Sequence, residues 1–198
     1  MEVLNAISEH TRQLLPIQRS VLHENRAALF RRWRLVRSGA LEDPRLVSRW
    51  FPRQRELLEL LDCLAEEEVE NLAHVGQPLF GVTLRCTDFS LDACAAFATS
   101  DALERDSVQE SFLALSSRLD AARCDKTKAC STFNMTAAEA DWLQRFCPLE
   151  LHNLARDPSM VLAPIASAEY FMVVASKKLS YTARTLMAIV SRRQPTFA

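Results

Sequence analysis

One short phrase constrains this chain more than any other. Residues 68–73 read EVENLA, and residues 151–155 read LHNLA. Around them stand LLDCLAEEEVENLAHVGQPLF and WLQRFCPLELHNLARDPSMVL. Glu68, Asn71, Leu72 and Ala73 answer Glu150, Asn153, Leu154 and Ala155 at one constant spacing of 82 residues. Leu61 answers Leu143 and Leu79 answers Val161 at the same spacing. Each copy reads as a helix, a very tight turn and a second short helix ending in Asn-Leu-Ala. Two helices joined this closely cross steeply over a small apolar nucleus. The alanine keeps them close, because a larger side chain would push them apart. A pair so small cannot bury its own apolar face. Two copies in one chain would cover each other, as the subunits of a dimer do. The competing explanation is chance, since Leu-Ala is a common pair in helical proteins.

Composition agrees with helix. The 198 residues are 48% hydrophobic and 25% charged, which suits a globular chain with a real core. Three glycines are too few for a glycine-turned sandwich or a phosphate-cradling loop. No apolar run is long enough to span a membrane. The start, MEVLNAISEHTRQLL, lacks the basic end and apolar stretch of a secretion signal, so a cytoplasmic location is expected. The six cysteines, at 63, 86, 94, 124, 130 and 147, form no CxxC pair, so free and mostly buried thiols are expected, with no metal and no cofactor.

The chain reads as all-α, with a short strand near 79–86 as its one β candidate. Pro16 suits the first turn of a helix that stops at Gly39. Val21, Leu22, Leu29, Phe30, Trp33 and Val36 form its buried stripe. Asp43 and Pro44 open a short helix to Trp50. RQRELLELLDCLA and EEEVENLAHV follow as helices, the second with its acids gathered in the first turn. Ser100 or Asp101 caps a longer helix to about Cys124. Thr136 and Glu139 have the spacing of a capping box. Pro148 starts LELHNLA, and Ser167 caps one long final helix. Two units are expected, 1–99 and 100–198, the second carrying that long C-terminal helix.

A net charge of −1 hides basic ends and an acidic middle. Residues 12–55 hold eleven arginines against Glu24, Glu42 and Asp43. Residues 56–110 hold thirteen acids against Arg85 and Arg105. Residues 176–198 carry five cations and no acid. These segments either pair with each other and keep helices wet, or a basic end meets an anion such as a DNA backbone.

The stretch SSRLDAARCDKTKACSTFNMTAAEADWLQRFCPLELHNLARDPSMVL resembles FlhD, the smaller subunit of the bacterial flagellar master regulator. Ser117-Arg118-Leu119, Thr132-Phe133-Asn134-Met135, Leu143, Phe146 and Asn153-Leu154-Ala155 stand at that family's motif positions. ENRAALFRRWRL and LLELLDCLAEEEVENLAHVGQPLFGVTLRCTD are similar to it too. The resemblance covers about 25–90 and 112–166, as two FlhD-like units packed as an internal pseudo-dimer. The chain departs from the family in an insertion around VRSGALEDPRLV, in LAPIASAEY where a strand would stand, in its C-terminal helix, and in being doubled. The resemblance implies a transcription-regulator subunit, in that family an activator, working by protein contact with a zinc-binding FlhC-like partner. Contact with promoter DNA would be secondary, and homo-oligomers are a further expectation.

No catalytic motif occurs, and His10, His23, His74 and His152 are scattered, so an enzyme is not expected. His74 and His152 read as surface or capping residues. The second helices of the two pairs are acidic or neutral, which makes them poor recognition helices. DNA contact would fall instead to Arg26, Arg31, Arg32, Arg34 and Arg37, or to Lys177, Lys178, Arg184, Arg192 and Arg193. Arg31 and Arg34 would share a helix face, and Trp33 reads as core rather than as a base-stacking residue. The other reading is a helical adaptor, or a secretion-associated interaction protein, with no role on DNA.

Overall fold

The structure, a computed structural model, describes residues 14–41, 44–51, 55–82, 84, 102–157, 160–176 and 179–191. They are mainly helical, with ten helices and one two-stranded sheet among them. Packing groups the chain into two compact units that are not consecutive halves, so the grouping differs from a cut between residues 99 and 100. One consists of Met1–Ala40, Gln54–Leu79 and Ile165–Ala198, the other of Leu41–Arg53 and Phe80–Pro164.

The first unit is built on α1 (Pro16–Arg37). Pro16 takes the position where a missing N–H costs nothing. Gly39, at φ +67, supplies the left-handed residue just beyond the helix. Helices α3 (Arg55–Cys63) and α4 (Glu66–Ala73) pack on α1. The buried stripe of α1 includes Val21, Leu22, Ala28, Leu29 and Phe30, but also Asn25 and Arg32. Asn25 sits fully buried and donates to the carbonyls of Val75 and Gln77, at 3.4 and 2.9 Å. Its own Oδ1 accepts from the Leu79 N–H at 2.8 Å. A buried loop must satisfy its backbone groups, and one amide side chain does this for three of them.

The second unit is built on α5 (Ala102–Cys124), against which α6 (Lys126–Phe133), α7 (Ala137–Leu143) and α8 (Pro148–Leu154) pack. Short α2 (Pro44–Trp50) belongs here, tied through Arg49 to Ser107 at 2.8 Å and to Glu104 at 3.2 Å. Asn134 ends α6 in the left-handed region, at φ 55. Thr136 and Glu139 form a full capping box. The sheet is two residues per strand, β1 (Phe80–Gly81) antiparallel to β2 (Ala163–Pro164). Of the strand expected near 79–86, Phe80–Gly81 is present, with a partner from LAPIASAEY, while residues 83, 85 and 86 lie outside the described residues.

Locally the two units are built alike. Residues 61–73 and 143–155 have the same burial at every position but one, exposed Asp62 against half-buried Gln144. Leu61, Leu64, Val69, Leu72 and Ala73 are buried, as are Leu143, Phe146, Leu151, Leu154 and Ala155. Burial of each large apolar side chain contributes about 1.5–3 kcal/mol. Glu68 reaches back to the N–H of Ala65 at 2.8 Å, and Glu150 to that of Cys147 at 2.7 Å. Only this glutamate half of a capping box exists, because neither Ala65 nor Cys147 offers a side-chain acceptor to its helix. The carbonyl at the tight turn is bonded from the long helix in both, Leu64 by Trp33 Nε1 at 3.0 Å and Phe146 by Arg123 at 3.1 Å. The match slips by one residue after the helices, where Val161 is half-buried and Leu162 takes the buried place of Leu79.

Two expectations are corrected. The long final helix is two helices, α9 (Ala168–Ser176) and α10 (Tyr181–Val190), both in the first unit. Ser180 starts α10 afresh, its hydroxyl accepting from the Ala183 N–H at 3.2 Å. The thiols are not mostly buried: Cys63, Cys124 and Cys147 are exposed and Cys130 is half-buried. Three of them lie at helix ends, where the chain turns outward. Cys86 and Cys94 lie outside the described residues, as do the Asp43, Ser100 and Asp101 caps.

Replacing Ala73 or Ala155 by leucine overpacks a site that is already closed, at a cost of about 1–3 kcal/mol each. Urea denaturation should show a lower midpoint for both variants. A second outcome concerns the caps. The Cys147 N–H, and after it the thiol, hold the Glu150 carboxyl below its ordinary pKa. A depressed carboxylate stabilises above its unfolded-state pKa, and that contribution is lost as pH falls through the folded value. Glu150→Gln should therefore melt lower than the parent at pH 7, with the gap closing below about pH 4.

Candidate functional site

The candidate basic residues divide by burial. On α1, Arg34 and Arg37 are exposed, Arg31 is half-buried and Arg32 is fully buried. Arg32 donates to the Ala28 carbonyl one turn back, at 3.1 Å. Arg26 is exposed but bonds Glu70 of α4 at 2.8 Å and lies over the Phe30 ring. Arg37 donates to the Asp62 carbonyl at 3.3 Å and lies over Trp33. Arg26 and Arg37 thus tie α1 to the α3–α4 pair. Trp33 is half-buried, edge-on to Phe30, and serves the turn at Leu64. Lys177, Lys178, Arg192 and Arg193 lie outside the described residues.

Burial removes Arg32 and Arg184 from the set that could reach the backbone of a DNA duplex. Arg118 of α5, at the resembling Ser-Arg-Leu, is the counterpart of Arg32: it is buried, donates to Ala114 at 2.8 Å and lies over the Phe133 ring. A guanidinium does not lose its proton in a protein, so such a side chain must find its partners inside.

Arg184 gathers a buried polar cluster in the first unit. Its NH1 reaches Asn71 Oδ1 at 3.2 Å, and its NH2 lies 3.2 Å from His74 Nδ1. His74 is the C-cap of α4, as a capping reading expects, but it is buried rather than on the surface. A cation here meets the negative end of the α4 dipole. A guanidinium only donates, so His74 Nδ1 is the acceptor and the imidazole is neutral. Tyr181 packs against His74 in a tilted ring pair, with centroids 5.2 Å apart. Thr185 accepts from the Gly76 N–H at 3.1 Å. Tyr170, from the first turn of α9, completes the group and is 1% exposed. Burial pushes the Tyr170 hydroxyl far up, and the nearby Arg184 charge pulls it part of the way back. Burial likewise lowers the Arg184 pKa, against the pull of Tyr170 and Tyr181.

Sequence reasoning found Arg184 but missed its partners. The available signal was a lone arginine between Ala183 and the apolar run Leu186-Met187-Ala188. His152 has no such role, being half-buried with its ring edge-on to Phe112. Among the described residues no three His, Cys, Asp or Glu side chains gather to hold a metal ion, and no helix is long and apolar enough to cross a membrane.

The chain matches no family model, no curated protein and no solved structure.

Gly76 is the tight point of the cluster. A Cβ there would collide with the Tyr181 hydroxyl and stand 3.2 Å from its ring carbon. Gly76→Ala should cost about 1–3 kcal/mol by forcing α10 outward. Tyr181→Phe in the same chain should recover part of that loss. A double-mutant cycle by thermal melting measures the coupling, and additive losses would break the assignment.

Proposed function

We propose that this chain is an FlhD-like regulator subunit that works by protein contact with an FlhC-like partner, with contact to promoter DNA secondary. The observation that carries the reading is the helix pair built twice, with the same buried positions, the same glutamate cap and the same bonded turn carbonyl. A tandem of such units within one chain would stand in for the FlhD dimer.

Several features favour protein contact over DNA contact. Helix α4 exposes Glu66 and Glu67 on its first turn, and α8 exposes Leu149. Carboxylates facing phosphates repel, and a bare leucine reads no base edge except a thymine methyl. Of the α1 arginines, two are spent on internal docking and one is buried. The zinc of such a complex would reside in the partner.

One observation favours the second reading, a helical adaptor without a role on DNA. Helix α10 turns Arg184 and Ala188 inward and leaves Leu186, Ile189 and Val190 exposed. A row of apolar side chains at this spacing suits contact with another protein.

Co-expression with an FlhC-like protein encoded beside it tests the proposal. The expected result is a stable complex by size exclusion, which shifts promoter DNA in a salt-dependent way. A complex without any DNA shift would favour the adaptor. No complex at all, with the chain folded and monodisperse, would sink the FlhD-like reading.

A further inference from the structure

We propose that the cluster where α9 and α10 meet the end of α4 binds a small oxyanion, held between the Arg184 guanidinium and the Tyr170 hydroxyl. The argument begins with charge. Arg184 is 7% exposed and permanently cationic. A buried charge needs a counter-charge or a full set of hydrogen bonds. Its two terminal nitrogens face an amide oxygen and an imidazole, both neutral. Among the described residues, the groups that favour its charged form are Tyr170 and Tyr181, neither of them a carboxylate. Glu70, on the same short helix as Asn71, is engaged by Arg26 at 2.8 Å. The end of the α4 dipole offsets only a part of a unit charge.

Hydrogen bonding points the same way. Arg184 Nε and the Tyr170 hydroxyl are both buried donors to which no acceptor among the described residues is bonded. Leaving such groups without acceptors is costly, and native proteins seldom do so. The guanidinium presents two edges. NH1 and NH2 are engaged by Asn71 and His74 at the end of α4, which leaves the Nε–H. An oxyanion with two oxygens can accept from Nε–H with one and from Tyr170 O–H with the other. Tyr170 and Arg184 each lie in the first turn of a helix, where the dipole favours negative charge. Asn71, Tyr181 and Thr185 are only half-buried, so the cluster lies just beneath the surface of its unit. The oxyanions with this chemistry are a carboxylate group and inorganic phosphate.

The full chain is melted in titrations of sodium acetate, of sodium phosphate and of sodium chloride, at constant ionic strength. The parent protein should melt several degrees higher, saturably, with one of the two oxyanions and not with chloride. Tyr170→Phe removes a single hydroxyl and should fold, yet lose most of that rise. Arg184→Met should abolish it. Calorimetric titration of the parent with the active anion should give one site per chain, and Tyr170→Phe should bind at least tenfold more weakly. A response to acetate alone assigns a carboxylate ligand, and a response to phosphate alone a phosphate. Phosphate also stabilises proteins generally by exclusion from their surface. A rise of equal size in parent and Tyr170→Phe is therefore that general effect and overturns the proposal. No rise with either oxyanion overturns it as well.

Discussion

A helix of seven to nine residues cannot hold itself together in water, because too few hydrogen bonds follow the costly first turn. Seven of the ten described helices are of that length. The structure therefore depends on the two long helices, α1 and α5, to give the short ones a surface and to satisfy their ends. Trp33 and Arg123 do the second task at the same point of each pair, the carbonyl of the tight turn. Asn25 and Ser111 do it for the loop that follows, at the carbonyls of Val75, Gln77 and Met160. In each unit the long helix is a polar scaffold as well as an apolar wall.

This double duty explains what could be read from the sequence and what could not. Local chemistry was legible. Pro16, Gly39, Pro44, Pro148 and the Thr136–Glu139 box mark helix ends where they stand, because a cap needs only its neighbours. The repeat was legible too, since its apolar and small residues keep one spacing. The buried stripe of α1 was read only in part. Hydrophobic period finds Val21, Leu22, Leu29 and Phe30 but passes over Asn25 and Arg32, which are buried for partners some distance away or a turn back. LSYTARTL continues a helical pattern, so the sequence predicts a single final helix. The break is a serine cap, which looks like any other serine until Ala183 is seen bonded to it.

Long-range pairing hid the polar cluster for the same reason. Asn71 and His74 meet Arg184 across more than a hundred residues of chain. Nothing local in ENLAHVG requires an arginine, and nothing in YTARTL requires a histidine. The strand was hard for another reason. Two residues per strand carry no alternation to detect, and Pro164 argues against a strand until its edge position is known.

Buried arginines also change what the charge pattern means. Arg32, Arg118 and Arg184 count toward the basic total, yet each spends its charge on carbonyls, an amide, an imidazole or an aromatic face inside its unit. Arg26 and Arg37 are exposed but turned to α4 and to the α3 backbone. A basic stretch in the sequence is thus a poor measure of a basic surface in this chain. The described surface of the first unit also carries the acidic first turn of α4 and the apolar row of α10.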